Sequence, residues 1–120
     1  TVRFFLNFGK YSLAIPQEKD KDGVLKNYAG KPVVFGIRPE DVHDEPAFLA
    51  KSTDGIVNAD VEVTELMGAE TYLYLTCEGN YITARVDPTS TAKTGDNIKI
   101  AFNLQKLHLF DKDTEQTILN

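Results

Sequence analysis

Few residues in this chain could do chemistry, and their spacing argues against most reactions. His43 and His108 lie far apart with no second histidine or cysteine beside either, which is not the spacing of a zinc site. Cys77, the only cysteine, closes an apolar run with no cationic neighbour in sequence, so it reads as a buried structural thiol rather than a nucleophile. Ser12, Ser52 and Ser90 stand in no nucleophile-elbow context, and no GxxxxGK[ST] phosphate loop is present. Glu62, Glu65, Glu70 and Glu78 are numerous, but they fit solvated strand faces better than a catalytic carboxylate pair. Tyr72, Tyr74 and Tyr81 could stack bases of single-stranded nucleic acid. However, Lys and Arg are missing between Glu62 and Ile82, so no basic groove accompanies them. A net charge of −5 points the same way, away from a phosphate backbone.

The most informative stretch is structural: Gly36-Ile37-Arg38-Pro39-Glu40-Asp41-Val42. It follows Val33-Val34-Phe35, whose bulk fits a buried strand. Gly36 leaves room for a neighbouring strand or loop. Pro39 holds Arg38 extended and fixes its own φ, while Glu40 and Asp41 suit the free N–H groups of a first helical turn. The expected result is a strand, a hard corner and a short turn, with Arg38 paired to Glu40, Asp41 or a carboxylate of the stretch Glu65–Glu70.

The remaining elements must position that corner. Val2, Phe4, Leu6 and Phe8 alternate, as do Tyr11, Leu13 and Ile15, and Gly9-Lys10 between them predicts a hairpin with a type II′ turn. Val24, Leu25 and Tyr28 share a helical face, which predicts one short helix ending near Ala29 with Gly30 just beyond it. His43 to Thr53 reads as irregular, anchored by Phe48 and Leu49, and Asp54-Gly55 as a turn. Val57, Ala59, Val61 and Val63 alternate with polar residues, the cleanest half-buried strand. Its phase breaks in a loop at Glu65–Glu70 that contains Gly68. Strands are expected over Thr71–Cys77 and Tyr81–Val86, joined by a Glu78-Gly79-Asn80 turn. Others are expected at Ile98–Phe102, His108–Phe110 and Ile118–Leu119, with one helical turn at Leu104–Leu107. Seven or eight short strands with one helix predict an all-β fold, a barrel of the oligonucleotide/oligosaccharide-binding (OB) type with additional strands.

The chain has 120 residues, 42% hydrophobic and 26% charged, enough for one core, with no repeat, linker or apolar run long enough for a bilayer. A single cysteine favours a reducing compartment. Strand-like sequence begins at Thr1 without an initiator Met, which reads as a piece of a longer protein.

Val34-Phe35-Gly36-Ile37-Arg38-Pro39-Glu40-Asp41-Val42 resembles the hallmark string of the C-terminal regulatory domain of ATP-binding-cassette sugar importer ATPases, the maltose/multiple-sugar and glycerol-phosphate class. Leu25–Gly30, Val61–Glu70, Gly95-Asp96 and His108–Asp111 with Thr114 are similar to further segments of that family, in the same order. The resemblance implies that residues 1–120 are one transport-associated OB (TOBE-type) domain, with the N-terminal nucleotide-binding domain absent. It also implies a role in regulation and dimer-holding rather than ATP hydrolysis, with ATP and Mg bound by the parent subunit and no cofactor here. Implied partners are a second copy of the subunit, its own nucleotide-binding domain and, through it, membrane permeases, and in some members a regulatory protein. The implied location is the cytoplasmic face of the membrane. Gly36, Arg38, Pro39, Glu40 and Asp41 would be its structural hallmark. Glu65, Gly68, Glu70 and Phe110 would be a candidate interface, where Phe110 is either a rim anchor or a core residue. A free-standing small-anion or sugar-binding barrel is the alternative.

Overall fold

The computed structural model describes residues 4–120; Val2, expected at the start of the first strand, lies outside them. Phe5–Phe8 (β1) and Tyr11–Ala14 (β2) form the expected hairpin, with Phe8 opposite Tyr11. Gly9 has φ +58° and Lys10 is not left-handed, the φ signs of a type II′ turn. Val24–Asn27 is helical, but as a 3-10 turn that ends before Ala29. The Asp20 carboxylate accepts Val24 N–H at 2.8 Å and starts it; Gly30, at φ +77°, follows it as expected.

Val33–Gly36 (β3), His108–Asp111 (β9) and Thr117–Leu119 (β10) form a three-stranded antiparallel sheet in the order β10-β9-β3. Here β3 is an edge strand, so Val33 and Phe35 turn inward and Val34 outward, with 46% of its surface exposed. Expecting the whole run to be buried was incorrect because only one face of this sheet is covered.

Val42–His43 (β4), Asn97–Phe102 (β8), Ile56–Leu66 (β5), Thr71–Cys77 (β6) and Asn80–Val86 (β7) make the main sheet, in that order. Its ends, β4 and β7, come together, so the sheet nearly closes into a barrel. The OB-like all-β fold expected from the sequence is therefore present, with ten strands among the described residues. Two details differ. Pro46–Lys51 (α1), a single short helix, stands where irregular chain was expected; Pro46 takes its first position, where a missing N–H costs nothing. The phase of β5 also breaks early, at a bulge between Val61 and Val63, which turns Val63 outward while the strand continues to Leu66.

The core lies inside the barrel, where Val42, Leu73, Ile100, Phe102, Leu107 and Leu109 are almost fully buried. Three rings tie the sheets together: Phe8 from β1, Phe35 from β3 and Phe102 from β8, with centroids 5.4 to 6.4 Å apart. Truncating Phe102 to Ala would cost about 3–5 kcal/mol.

Candidate interaction surface

The corner at Arg38-Pro39 is the joint between the two larger sheets. Arg38 is extended (φ −76°, ψ 150°), and Pro39–Asp41 form one 3-10 turn with Pro39 first and both carboxylates in it. Neither carboxylate caps the turn by a side-chain hydrogen bond, so their contribution is the charge itself. The Asp41 carbonyl accepts Asn103 N–H at 2.9 Å, and Val42, fully buried, pairs with Phe102. One end of the corner thus leaves β3 and the other enters the barrel. Arg38 is exposed and has no ion pair among the described residues, contrary to expectation. The pair belongs instead to Arg85, whose Nε lies 2.8 Å from Glu70 Oε2. Arg85 reaches the hairpin tip because β7 lies beside β6, a placement that no local pattern in the sequence announces.

Gly36 has a steric role. A Cβ there would stand 3.0 Å from Phe110 Cε2, and Gly36 faces His108 across the β3–β9 pairing. Leu109 points into the core and Phe110 away from it, on the same face as its partner Val34. Phe110 is half-buried and is absent from the core cluster. It covers the outer side of the small sheet.

Glu65, Gly68 and Glu70 sit elsewhere, at the end of the β5–β6 hairpin. Met67 N–H donates to Glu70 O at 2.8 Å across its turn, and Gly68 has φ +73°. Leu66 and Met67 are exposed there, Leu66 by 74%. The sequence held a signal for this, since an apolar pair at a hairpin tip has no core to enter. The hairpin tip and Phe110 belong to different sheets, so they do not form one continuous strand surface.

The outer face of the barrel carries a second group. After the bulge, Val63 lies opposite Tyr74, and Glu65 opposite Tyr72; Tyr74 pairs onward with Thr83, Tyr72 with Arg85, and Thr76 with Tyr81. Tyr72, Tyr74 and Tyr81 therefore share one face, with Tyr81 90% exposed. Tyr74 donates to Glu65 Oε1 at 2.9 Å, which raises its pKa. Thr76 donates to Glu62 Oε1 at 2.9 Å.

The other reactive groups lie apart from this face. Cys77 is buried, and desolvation followed by the nearby Glu78 charge pushes its thiol pKa up, against activation. His43 stacks on Phe48 at 3.9 Å and contacts Glu45 through Nδ1, while His108 faces Gly36 in the small sheet. A cleft of about 750 Å³ opens between α1, Pro16 and Gln105. Of its two aromatic residues, Phe48 carries His43 against it and Lys51 Nζ over it at 4.9 Å, and Phe102 is buried against Phe8 and Phe35. No cluster of metal-binding side chains occurs among the described residues. No helix among them is long and apolar enough to cross a membrane.

Comparison with known proteins agrees with this architecture. Residues 35–110 match the family model described as the TOBE domain, and residues 1–42 match that of the MalK OB fold domain. The oligosaccharides import ATP-binding protein MsmX of Bacillus subtilis is 36% identical over 94% of this chain and 31% of its own length. The multiple sugar-binding transport ATP-binding protein MsmK of Streptococcus mutans is 39% identical over 89% of this chain and 28% of its own. The trehalose/maltose import ATP-binding protein MalK of Thermococcus litoralis is 33% identical over 95% and 31%. The chain spans about a third of the length of these relatives.

Proposed function

The chain belongs to the TOBE domain family, and from that premise we propose that it is the regulatory and self-association domain of the ATP-hydrolysing subunit of a sugar importer. The observation that carries the reading is the extent of the likeness: nearly the whole chain corresponds to about a third of several sugar-import ATP-binding proteins. In this reading residues 1–120 are one regulatory domain. ATP and Mg are bound by the nucleotide-binding domain of the same subunit, and this part binds neither. Its partners are that domain, the membrane permeases beneath which the subunit works at the cytoplasmic face, a second copy of the subunit, and in some settings a regulatory protein.

Two surfaces serve these contacts, since Phe110 and the hairpin tip at Glu65–Glu70 belong to different sheets. Val34 and Phe110 give the small sheet an uncharged outer face suited to a second copy. Glu65, Gly68 and Glu70 mark a protruding hairpin tip for another partner. Gly36, Pro39 and Asp41 hold the joint between the sheets and so fix how the two surfaces sit. Held together by the rest of the subunit, two such domains would meet at an effective concentration of order millimolar, so the contact need not be tight.

The test is the coding sequence upstream of Thr1. It should read in frame into a GxxxxGK[ST] phosphate loop. A stop codon between such a loop and Thr1, or no loop at all, would remove the transport reading.

A further inference from the structure

We infer that the outer face of β5, β6 and β7 is a docking surface for a protein segment that presents Lys or Arg. This goes beyond self-association and does not depend on it. Asp60, Glu62, Val63 and Glu65 of β5, Tyr72 and Tyr74 of β6, and Tyr81 of β7 occupy one side of the sheet. Exposed Val63, Met67, Tyr74 and Tyr81 put apolar and aromatic surface beside that row of carboxylates.

The carboxylates are held but not neutralised. Asp60 accepts from Asn97, Glu62 from Thr76 and Glu65 from Tyr74, all neutral donors. On β5, β6 and β7 Arg85 is the one cation of this face among the described residues, and Glu70 already pairs with it. At the Asp60 end Lys99 of β8 stands opposite Asn58, and Lys10 borders the hollow that Asp60 shares with Thr76, which leaves Glu62 and Glu65 as the carboxylates without a cation. These hydrogen bonds fix the carboxylates in place beside the open tyrosine rings. An arriving guanidinium or ammonium can therefore lie over a ring and meet a carboxylate with little reordering of the surface. A second copy related by a two-fold axis would oppose carboxylates to carboxylates, and a nucleic acid would oppose them to phosphates. Charge complementarity selects a cationic protein segment.

The test titrates the chain with short oligoarginine and oligolysine peptides and follows its backbone amides by NMR. Shifts should concentrate on Val63, Tyr74, Tyr81 and Thr83 and spare β9, with oligoarginine tighter because its plane also stacks. Glu62→Gln with Glu65→Gln should weaken binding by about ten-fold, since two exposed charge pairs are lost. The same charge change at exposed Asp22 and Asp113 should alter it by no more than about two-fold. Tyr81→Ala should erase the preference for arginine. Equal weakening by the control pair would reduce the effect to net charge and overturn the inference, as would shifts elsewhere or none. Loss of self-association in the Glu62→Gln/Glu65→Gln variant, read by sedimentation, would hand this face to a second copy and also overturn it.

Discussion

The carboxylate of Glu78, in the turn between β6 and β7, accepts the Lys10 N–H at 2.7 Å and fills the space beside Gly9 where a side chain would project. A Cβ on Gly9 would stand 2.6 Å from Glu78 Cβ, closer than any relaxed contact. Two tight turns from different sheets are thereby locked: Gly9 takes φ +58° freely because it has no Cβ, whereas Glu78, which is not glycine, is strained at φ +51°. The hairpin β1–β2 is fixed to the barrel at this point.

Gly9→Ala should therefore destabilise the chain by about 1–3 kcal/mol, because it combines a left-handed φ with a clash. In a Glu78→Gly background the same change should cost less, since the clash is gone and only the backbone penalty is left. Thermal melts of the four proteins check this. Additive effects would mean that the two turns do not touch in solution.

The sequence made some of this legible and hid the rest. The Arg38-Pro39 corner could be read because proline restricts two residues by local sterics alone. The β1–β2 hairpin could be read because Gly9 needs no tertiary help to adopt its turn. By contrast, α1 spans only six residues, too few for apolar periodicity to stand out. The bulge at Glu62 leaves the alternating pattern of residue types intact, so alternation alone puts the break at Glu65. Arg38 has carboxylates near it in sequence, yet the ion pair formed at Arg85, which meets Glu70 only through strand register. Whether Phe110 is core or rim depends on whether it or Leu109 faces inward, and that phase is set by pairing with β3.

Arg38→Ala should leave the melting temperature nearly unchanged, within about 0.5 kcal/mol, because an exposed side chain without a partner contributes little. Arg85→Ala should cost somewhat more but less than about 1 kcal/mol, since its pair with Glu70 is more than a third exposed and screened. Denaturant melts of both variants check this ordering. A larger loss in Arg38→Ala would show that the corner needs its charge.

Asp111 supplies a pH dependence. Backbone N–H groups of Thr114 and Asp113, with the Tyr28 hydroxyl, hold its pKa below the ordinary aspartate value. A depressed folded pKa means stability that is complete above the ordinary aspartate range and lost as pH falls through the folded value. Asp111→Ala should lower the melting temperature at neutral pH, with a difference from the parent that narrows steadily in acid below about pH 4. Tyr28 has its pKa raised by the same bond, so it should titrate late in ultraviolet difference spectra and return toward normal in Asp111→Ala. A constant difference across the acid range would remove Asp111 from the account.

The chain should melt in one cooperative transition and release no phosphate from ATP. The first follows from a core shared by all three sheets, and the second from the missing phosphate loop. Coincident fluorescence and circular-dichroism melts test the folding, and a phosphate assay on repeatedly purified protein tests the chemistry. A phosphate signal that tracks the protein through purification would contradict the regulatory reading.

Self-association through the small sheet is tested most directly by sedimentation equilibrium of the chain from micromolar to millimolar, with Phe110→Asp beside it. Phe110 lies outside the core and covers Gly36, so the charge should be accommodated at the surface with only a modest fall in melting temperature. Such self-association predicts monomers at micromolar concentration, dimers that accumulate toward millimolar, and their loss in Phe110→Asp while the variant stays folded. A parent that stays monomeric at millimolar, dimers that survive Phe110→Asp, or a variant that unfolds would contradict it.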